Sequence, residues 1–246
     1  MARSIYLLFG VLAYVLFLAT FLYLVAFVGA LPQLPRTVDA PALLGSTSAA
    51  VAVDLALIAI FGLQHSVMAR KGFKAAWTRI VPRPIERSAY VVFASLALIL
   101  LFLFWRPLPG VVWHVPAGPA AMLLWALFGL GWLIVLLSTF LLSHFELFGL
   151  KQIWNHMRRA PAEPPVLREP LFYRLVRHPL YAGFFIAFWA TPRMTTGHLL
   201  LAGGMSLYML IAIEFEERDL LRVFGKDYEA YRGRVGKLTP RLRPRG

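Results

Sequence analysis

Apolar residues run through this chain in blocks too long for a soluble core, with the polar residues gathered in the gaps. A helix that crosses a bilayer needs about 20 predominantly apolar residues. Residues 5–30 exceed that, and 43–63, 89–105 and 120–147 supply three further spans. Residues 180–190 and 199–213 are shorter. Neither crosses comfortably alone at about 1.5 Å per residue, so together they predict a tight hairpin around Thr191–His198. The tail from Glu214 is charged, yet Leu220, Leu221, Phe224, Tyr228 and Tyr231 recur at three- and four-residue spacing. That is a helix with one apolar face, suited to lying on a membrane or closing over a bundle.

The gaps hold the punctuation. Pro82 and Pro84 mark a helix start, since proline suits the first turn. Pro161, Pro164, Pro165 and Pro170 predict an extended basic loop over 151–177. The reading is all-α: a multi-pass transmembrane helical bundle of five to six spans with a C-terminal cytoplasmic amphipathic helix. It forms one domain over 1–246.

Composition agrees. The chain is 59% hydrophobic and 15% charged, against about a quarter charged in a soluble domain. The first run is long and aromatic and lacks a small-residue cleavage site, so it reads as a retained span. The absence of cysteine excludes disulfides, thiolate metal sites and a cysteine nucleophile. The net charge of +13 would suggest nucleic acid in a soluble chain. Here the basic residues sit between spans, and residues 65–88 carry six with one acid. Anionic lipid and the positive-inside rule account for them, with no nucleic-acid partner. Both basic loops and the tail then share the cytoplasmic side of the cell membrane, with the N-terminus. The last hairpin either crosses twice or is re-entrant.

Two stretches place charge at the ends of apolar segments, where it is costly. The first is Tyr-Arg-Leu-Val-Arg-His-Pro-Leu-Tyr-Ala-Gly, residues 173–183. Pro179 disfavours helix at His178 and fits as the first residue of the next helix. His178 then sits at a helix mouth with Tyr181 one turn in, where backbone N–H groups favour a carboxylate. Gly183 permits close approach to the backbone. Taken alone, the stretch reads as a helix start with interfacial anchors. The second runs from Glu214 to Tyr231. Glu214 can pair with Arg218 at i,i+4, leaving Glu216 and Glu217 for a cationic partner. A ligand with a carboxylate and cationic groups would use both walls, and S-adenosylmethionine is such a molecule.

Arg-His-Pro-x-Tyr-x-Gly, a short apolar hairpin, then Glu-Glu-x-x-Leu-x-x-x-Phe-Gly-x-x-Tyr-x-x-Tyr resembles the isoprenylcysteine carboxyl methyltransferase and phospholipid methyltransferase superfamily. The resemblance covers about the last 75 residues and implies a cofactor-binding half over 171–240. Carried over by position, it implies cofactor roles for His178, Pro179, Tyr181, Gly183, Glu216 and Glu217. The superfamily often has Gly-Pro-Tyr before the motif; here it is Leu171-Phe172-Tyr173, so the loop entering the pocket differs. The stretches Gln64–Ser88, Leu103–Pro109, His144–Trp154 and Ala187–Thr195 resemble the membrane methanethiol S-methyltransferases along nearly the whole chain. That implies methyl transfer from S-adenosyl-L-methionine to methanethiol, giving dimethyl sulfide, with no metal. The rivals are a prenylated cysteine carboxylate or lipid amine as acceptor, or a non-catalytic transporter using Asp54 and Glu146 as an ion path.

A small thiol is mostly protonated at neutral pH, so a base or nearby cation should help. His65 and His144, at the cytoplasmic ends of different spans, are the candidates for base or thiol positioning. Glu146 either orients a histidine or pairs with Arg87 or Lys151. In an unbroken helix His144 and Glu146 point nearly opposite ways. Asp54 lies eleven residues before His65, about 16 Å along a helix and too far to orient it. Gly129-Leu-Gly131 lies in an apolar run with no strand before it, so it reads as a site of close helix packing.

Overall fold

The structure, a computed structural model, describes residues 2–42, 45–161 and 164–241. Leu43 and Leu44, the expected start of the second span, lie outside the described residues. In chain order the elements are α1 (Ala2–Val28), α2 (Thr47–Ala69), α3 (Lys71–Trp77), α4 (Glu86–Phe104), β1 (Val111–His114), α5 (Pro119–Leu142), α6 (His144–Leu147), α7 (Leu150–Arg158), α8 (Pro179–Trp189), β2 (Arg193–Thr195), α9 (Thr196–Phe224) and α10 (Lys226–Arg234). Among the described residues, α1, α2, α4, α5 and α9 are long and apolar enough to cross a membrane. The protein is an all-α, multi-pass membrane bundle.

The chain divides into two compact units. Among the described residues the first comprises 2–113, 145–161 and 194–204. Here α1 packs against α4 and α7, and α2 packs against α4. The Ser46 hydroxyl caps α2 by accepting from the Ala49 N–H at 3.3 Å. Pro82 precedes and Pro84 lies within a 3-10 turn at Arg83–Ile85, and Glu86 then opens α4 with an acid in its first turn, where the helix dipole favours it. Rings fill the seams: Phe17 stacks on Phe148 at 3.8 Å between centroids, and Phe102 meets Tyr23 and Phe27. Asp54, fully buried, accepts the Arg106 N–H at 2.9 Å. Thr196 N–H donates to Gly110 O at 2.6 Å and Gly197 N–H to Leu108 O at 3.1 Å, so α9 starts beside the segment that leaves α4.

The second unit comprises 114–144, 164–193 and 205–241 among the described residues. Its frame is the α5–α8 pair. The Val115 N–H donates to Pro192 O at 2.8 Å, so the start of α5 lies by the end of α8 and the helices are antiparallel. They touch backbone to backbone. A Cβ on Gly131 would lie 2.6 Å from Ala187 N and 2.7 Å from Gly183 O; one on Gly183 would lie 2.7 Å from Gly131 O.

Three expectations about helix limits are corrected. Residues 199–213 are the apolar part of the 29-residue α9, not a short half of a hairpin. Its last turns carry charge because glutamate, arginine and leucine are all good helix formers. The following helix does not run on from it: Gly225, at φ 54, separates α9 from α10. The run expected to reach 147 stops at Leu142, where Ser143 turns extended. Finally, the basic loop expected to be extended from 151 begins as helix α7.

Alanine at Gly131 or Gly183 should cost about 1–3 kcal/mol through overpacking. Alanine at Gly129, which faces open space, should stabilise by up to about 1 kcal/mol. Unfolding midpoints in detergent check the contrast, and equal effects at Gly129 and Gly131 would refute the seam.

Candidate functional site

Chain entry into α8 sets the geometry. Pro179 occupies the first helical position, and His178 takes φ −126, ψ 63 without a side-chain cap on the helix. Just before it the backbone is held by the segment after α10. Val176 bridges Gly236 in parallel. Arg177 N–H donates to Gly236 O at 2.8 Å and His178 N–H to Lys237 O at 3.1 Å. Further upstream, residues Leu171–Arg174 form a 3-10 turn, and Leu171 takes φ 37. A glycine adopts that region without the cost a leucine bears, so the departure from Gly-Pro-Tyr falls where backbone freedom matters.

Glu217, on a late turn of α9, is the hub. Its Oε1 accepts from Arg177 Nε at 2.9 Å and lies 2.7 Å from Arg177 Nη2. His178 Nε2 donates to the same oxygen at 3.1 Å. Arg232 Nε stands 3.7 Å from Oε2. Arg177, His178 and Glu217 are each at most 8% exposed. Burying one ion alone costs several kcal/mol, so the set persists only because each member has its counter-charge. Arg177 spends a further N–H on Val235 O at 2.5 Å.

Below the hub, Tyr228, Tyr231 and Val235 form a buried cluster with Leu167, Leu220, Leu221 and Phe224 against it. The apolar face read from the tail thus exists, folded across the Gly225 break. Burial is the main cause raising both phenols, Tyr231 to about 12, so they stay protonated. Tyr231 uses its hydrogen to bond Tyr173 O at 2.6 Å.

Glu214 pairs with Lys237 rather than with Arg218, which lies over the Phe215 ring. Glu216 is exposed. Tyr181 follows His178 at 5.8 Å between ring centroids. Gly183 does meet a close neighbour, and that neighbour is α5.

His144 belongs to the same unit, just beyond the end of α5. Because α5 and α8 are antiparallel, His144 and His178 lie at the same end of that pair. His144 stacks on Phe140 at 4.0 Å, and its Nδ1 lies 2.8 Å from Thr139 Oγ1. The single Thr139 hydroxyl hydrogen goes to Leu136 O at 2.7 Å. With that hydrogen on Leu136 O, the Nδ1 contact is met by the tautomer in which Nδ1 donates to Thr139 and Nε2 is the unprotonated nitrogen. Burial holds the His144 pKa below the ordinary histidine value, so the ring is neutral near pH 7.

The break at Ser143 sends His144 and Glu146 into different units. Glu146 pairs with Lys151 at 3.2 Å, the structural partner foreseen for it, while Arg87 donates to Leu147 O at 2.7 Å. His65, in the first unit, lies between the Phe61 and Tyr90 rings at 5.3 and 5.1 Å. The Tyr90 hydroxyl donates to His65 O at 3.5 Å. Among the described residues no group of three or more His, Cys, Asp or Glu side chains could hold a metal ion.

Sequence reasoning missed Arg177 and Arg232. The signal for Arg177 was in the motif: it precedes His178 directly, where an unpaired guanidinium could not stay buried.

No family model and no solved structure matches the chain. Among curated proteins, it is 51% identical over 242 residues to a methanethiol S-methyltransferase of Mycobacterium tuberculosis, covering 98% of each chain. It is 49% identical over 233 residues to methanethiol S-methyltransferase 1 of Bradyrhizobium diazoefficiens, covering 95% of this chain and 81% of that one. Human nurim is 35% identical over 184 residues, covering 71% and 70%.

Glu217→Ala should cost about 3–5 kcal/mol, because it strands a buried guanidinium. Combining Glu217→Leu with Arg177→Met should cost less than the two changes summed. Denaturant unfolding in detergent measures the coupling, and simple additivity would refute the buried pair.

Proposed function

The chain belongs to the methanethiol S-methyltransferase family, and on that premise we propose that it methylates methanethiol with S-adenosylmethionine, giving dimethyl sulfide. The observation that carries the reading is identity near one half over almost the whole chain to proteins bearing that name. No resident metal is invoked.

The residues at the α8 entrance fit the methyl donor. The N-terminus of α8 has no side-chain cap from His178, and its first-turn N–H groups suit a carboxylate. Glu216, exposed on α9 one residue before the hub, suits an ammonium group. Glu217 is already matched by Arg177 and His178, so its part is to hold His178 and the segment after α10 in place. When bound, S-adenosylmethionine supplies a methyl group on a sulfonium, an electrophile that needs no Lewis acid. Tyr181 and the His178 ring flank the same helix entrance. The cofactor-binding stretch on this reading is 171–240, at the cytoplasmic face of the cell membrane, since the basic segments gather on that side.

The remaining task is the thiol proton. His144 Nε2, on a neutral ring, accepts the S–H proton as the thiol sulfur takes the methyl group, the donor's sulfonium S–CH3 bond breaks and its sulfur leaves as a neutral thioether, and His144 later releases the proton to water. His65 is the alternative acceptor, in the first unit, and Glu146, paired with Lys151, has a structural part.

Purified protein with S-adenosylmethionine and methanethiol should release dimethyl sulfide, read by gas chromatography; none from folded protein would sink the proposal. His144→Ala should leave donor affinity intact and lower kcat by about a hundredfold or more. A protonated His144 cannot accept, so wild-type kcat should fall as pH drops through a pKa below about 6.5. That limb should vanish in the variant, and its survival would remove His144 from the reaction.

A further inference from the structure

A cavity of about 520 Å³ opens in the second unit where α9 ends, lined by Arg177, Arg232, Arg234, Arg241, Leu221 and Glu229 among others. Its guanidinium groups are unequally matched. Arg177 is neutralised by Glu217 at 2.7 Å and Arg234 by Glu169 at 3.1 Å. Arg232 is 3.7 Å from a carboxylate that already serves Arg177 and His178. Arg241 donates to the uncharged Gly233 carbonyl. Set against the one lining carboxylate, Glu229, the walls keep an excess of positive charge, in planar forks that suit phosphate oxygens.

We propose that this cavity holds the phosphate of an anionic lipid headgroup. Three observations favour a lipid over a free anion. The cavity adjoins the charged last turns of α9, a helix long and apolar enough to cross a membrane, which favours a membrane surface as its surroundings. Leu221 gives it an apolar wall that suits a glycerol or acyl segment and does nothing for an inorganic anion. Residues 232–246 hold six Lys or Arg and no acid, a density that attracts an anionic leaflet. The volume is in the range of small-molecule sites. The cavity shares Arg177 with the hub and lies largely within the stretch assigned to the methyl donor, so lipid binding is read directly and competition with the donor is part of the test.

The test is calorimetry of the purified full chain in uncharged detergent, with dihexanoyl-phosphatidylglycerol, dihexanoyl-phosphatidylcholine and inorganic phosphate as titrants. The glycerol lipid should bind and the choline lipid should not. Arg232→Gln with Arg241→Gln should weaken binding roughly thirtyfold, about fivefold per guanidinium. Arg222→Gln, exposed and paired with Asp219 on α9, should leave it unchanged. Unfolding midpoints establish that each variant is folded. Equal binding of the two lipids, or wild-type affinity in the double variant, overturns the proposal. Phosphate as tight as the glycerol lipid reassigns the cavity to a free anion, and displacement by S-adenosylmethionine assigns it to the methyl donor.

Discussion

A carboxylate and a guanidinium held away from water must find each other, and much of the C-terminal half follows from that. Glu217 stands on a helix that has just left its apolar stretch, and Arg177 and His178 stand where another helix begins. Their contact ties the late part of α9 to the mouth of α8. The leftover donors of Arg177 then need acceptors. The segment after α10 supplies them through Val235 O, while its backbone pairs with 176–178. One buried ion set thus fixes a helix start, a helix end and a strap of chain.

The same set divides the acidic residues by task. A carboxylate that already faces a guanidinium and an imidazole has little field left for a ligand. An exposed neighbour one residue away keeps its own. Glu217 and Glu216 adjoin in sequence and differ in chemistry because a helix turns them about 100° apart. The histidines divide similarly. His178 gives its Nε2 hydrogen to Glu217, whereas the hydroxyl of Thr139 orients His144 the other way round.

The membrane-spanning architecture was legible because long apolar blocks admit few other outcomes in water. The limits of α9 were not. A helix that continues from apolar to charged residues looks like a boundary when its counter-charges, Arg177 and Lys237, lie far off in sequence. The helix over Leu150–Arg158 was hidden by the prolines after it. The two stretches of the candidate site were visible as charge at apolar ends. What periodicity could not supply was the identity of the neighbours: that Glu217 meets Arg177, that Glu214 meets Lys237, and that Gly183 faces another helix. The resemblance along nearly the whole chain and the identity to curated relatives name the family on grounds that packing alone does not provide.

The contact of Gly131 with Gly183 bears on accuracy of placement. Most helix pairs are separated by side chains, which swap rotamers and let one helix roll or slide on the other. Here the peptide groups themselves meet, with no compressible layer between them. A roll of α8 by one residue would drive a side chain into the α5 backbone, so the pair behaves as a caliper with its jaw locked. His144 and His178 are mounted at one end of it. What the contact holds still is the pair of helix ends from which they hang, His178 just before Pro179 and His144 just past the turn at Ser143, a mount set by the smallest side chain available.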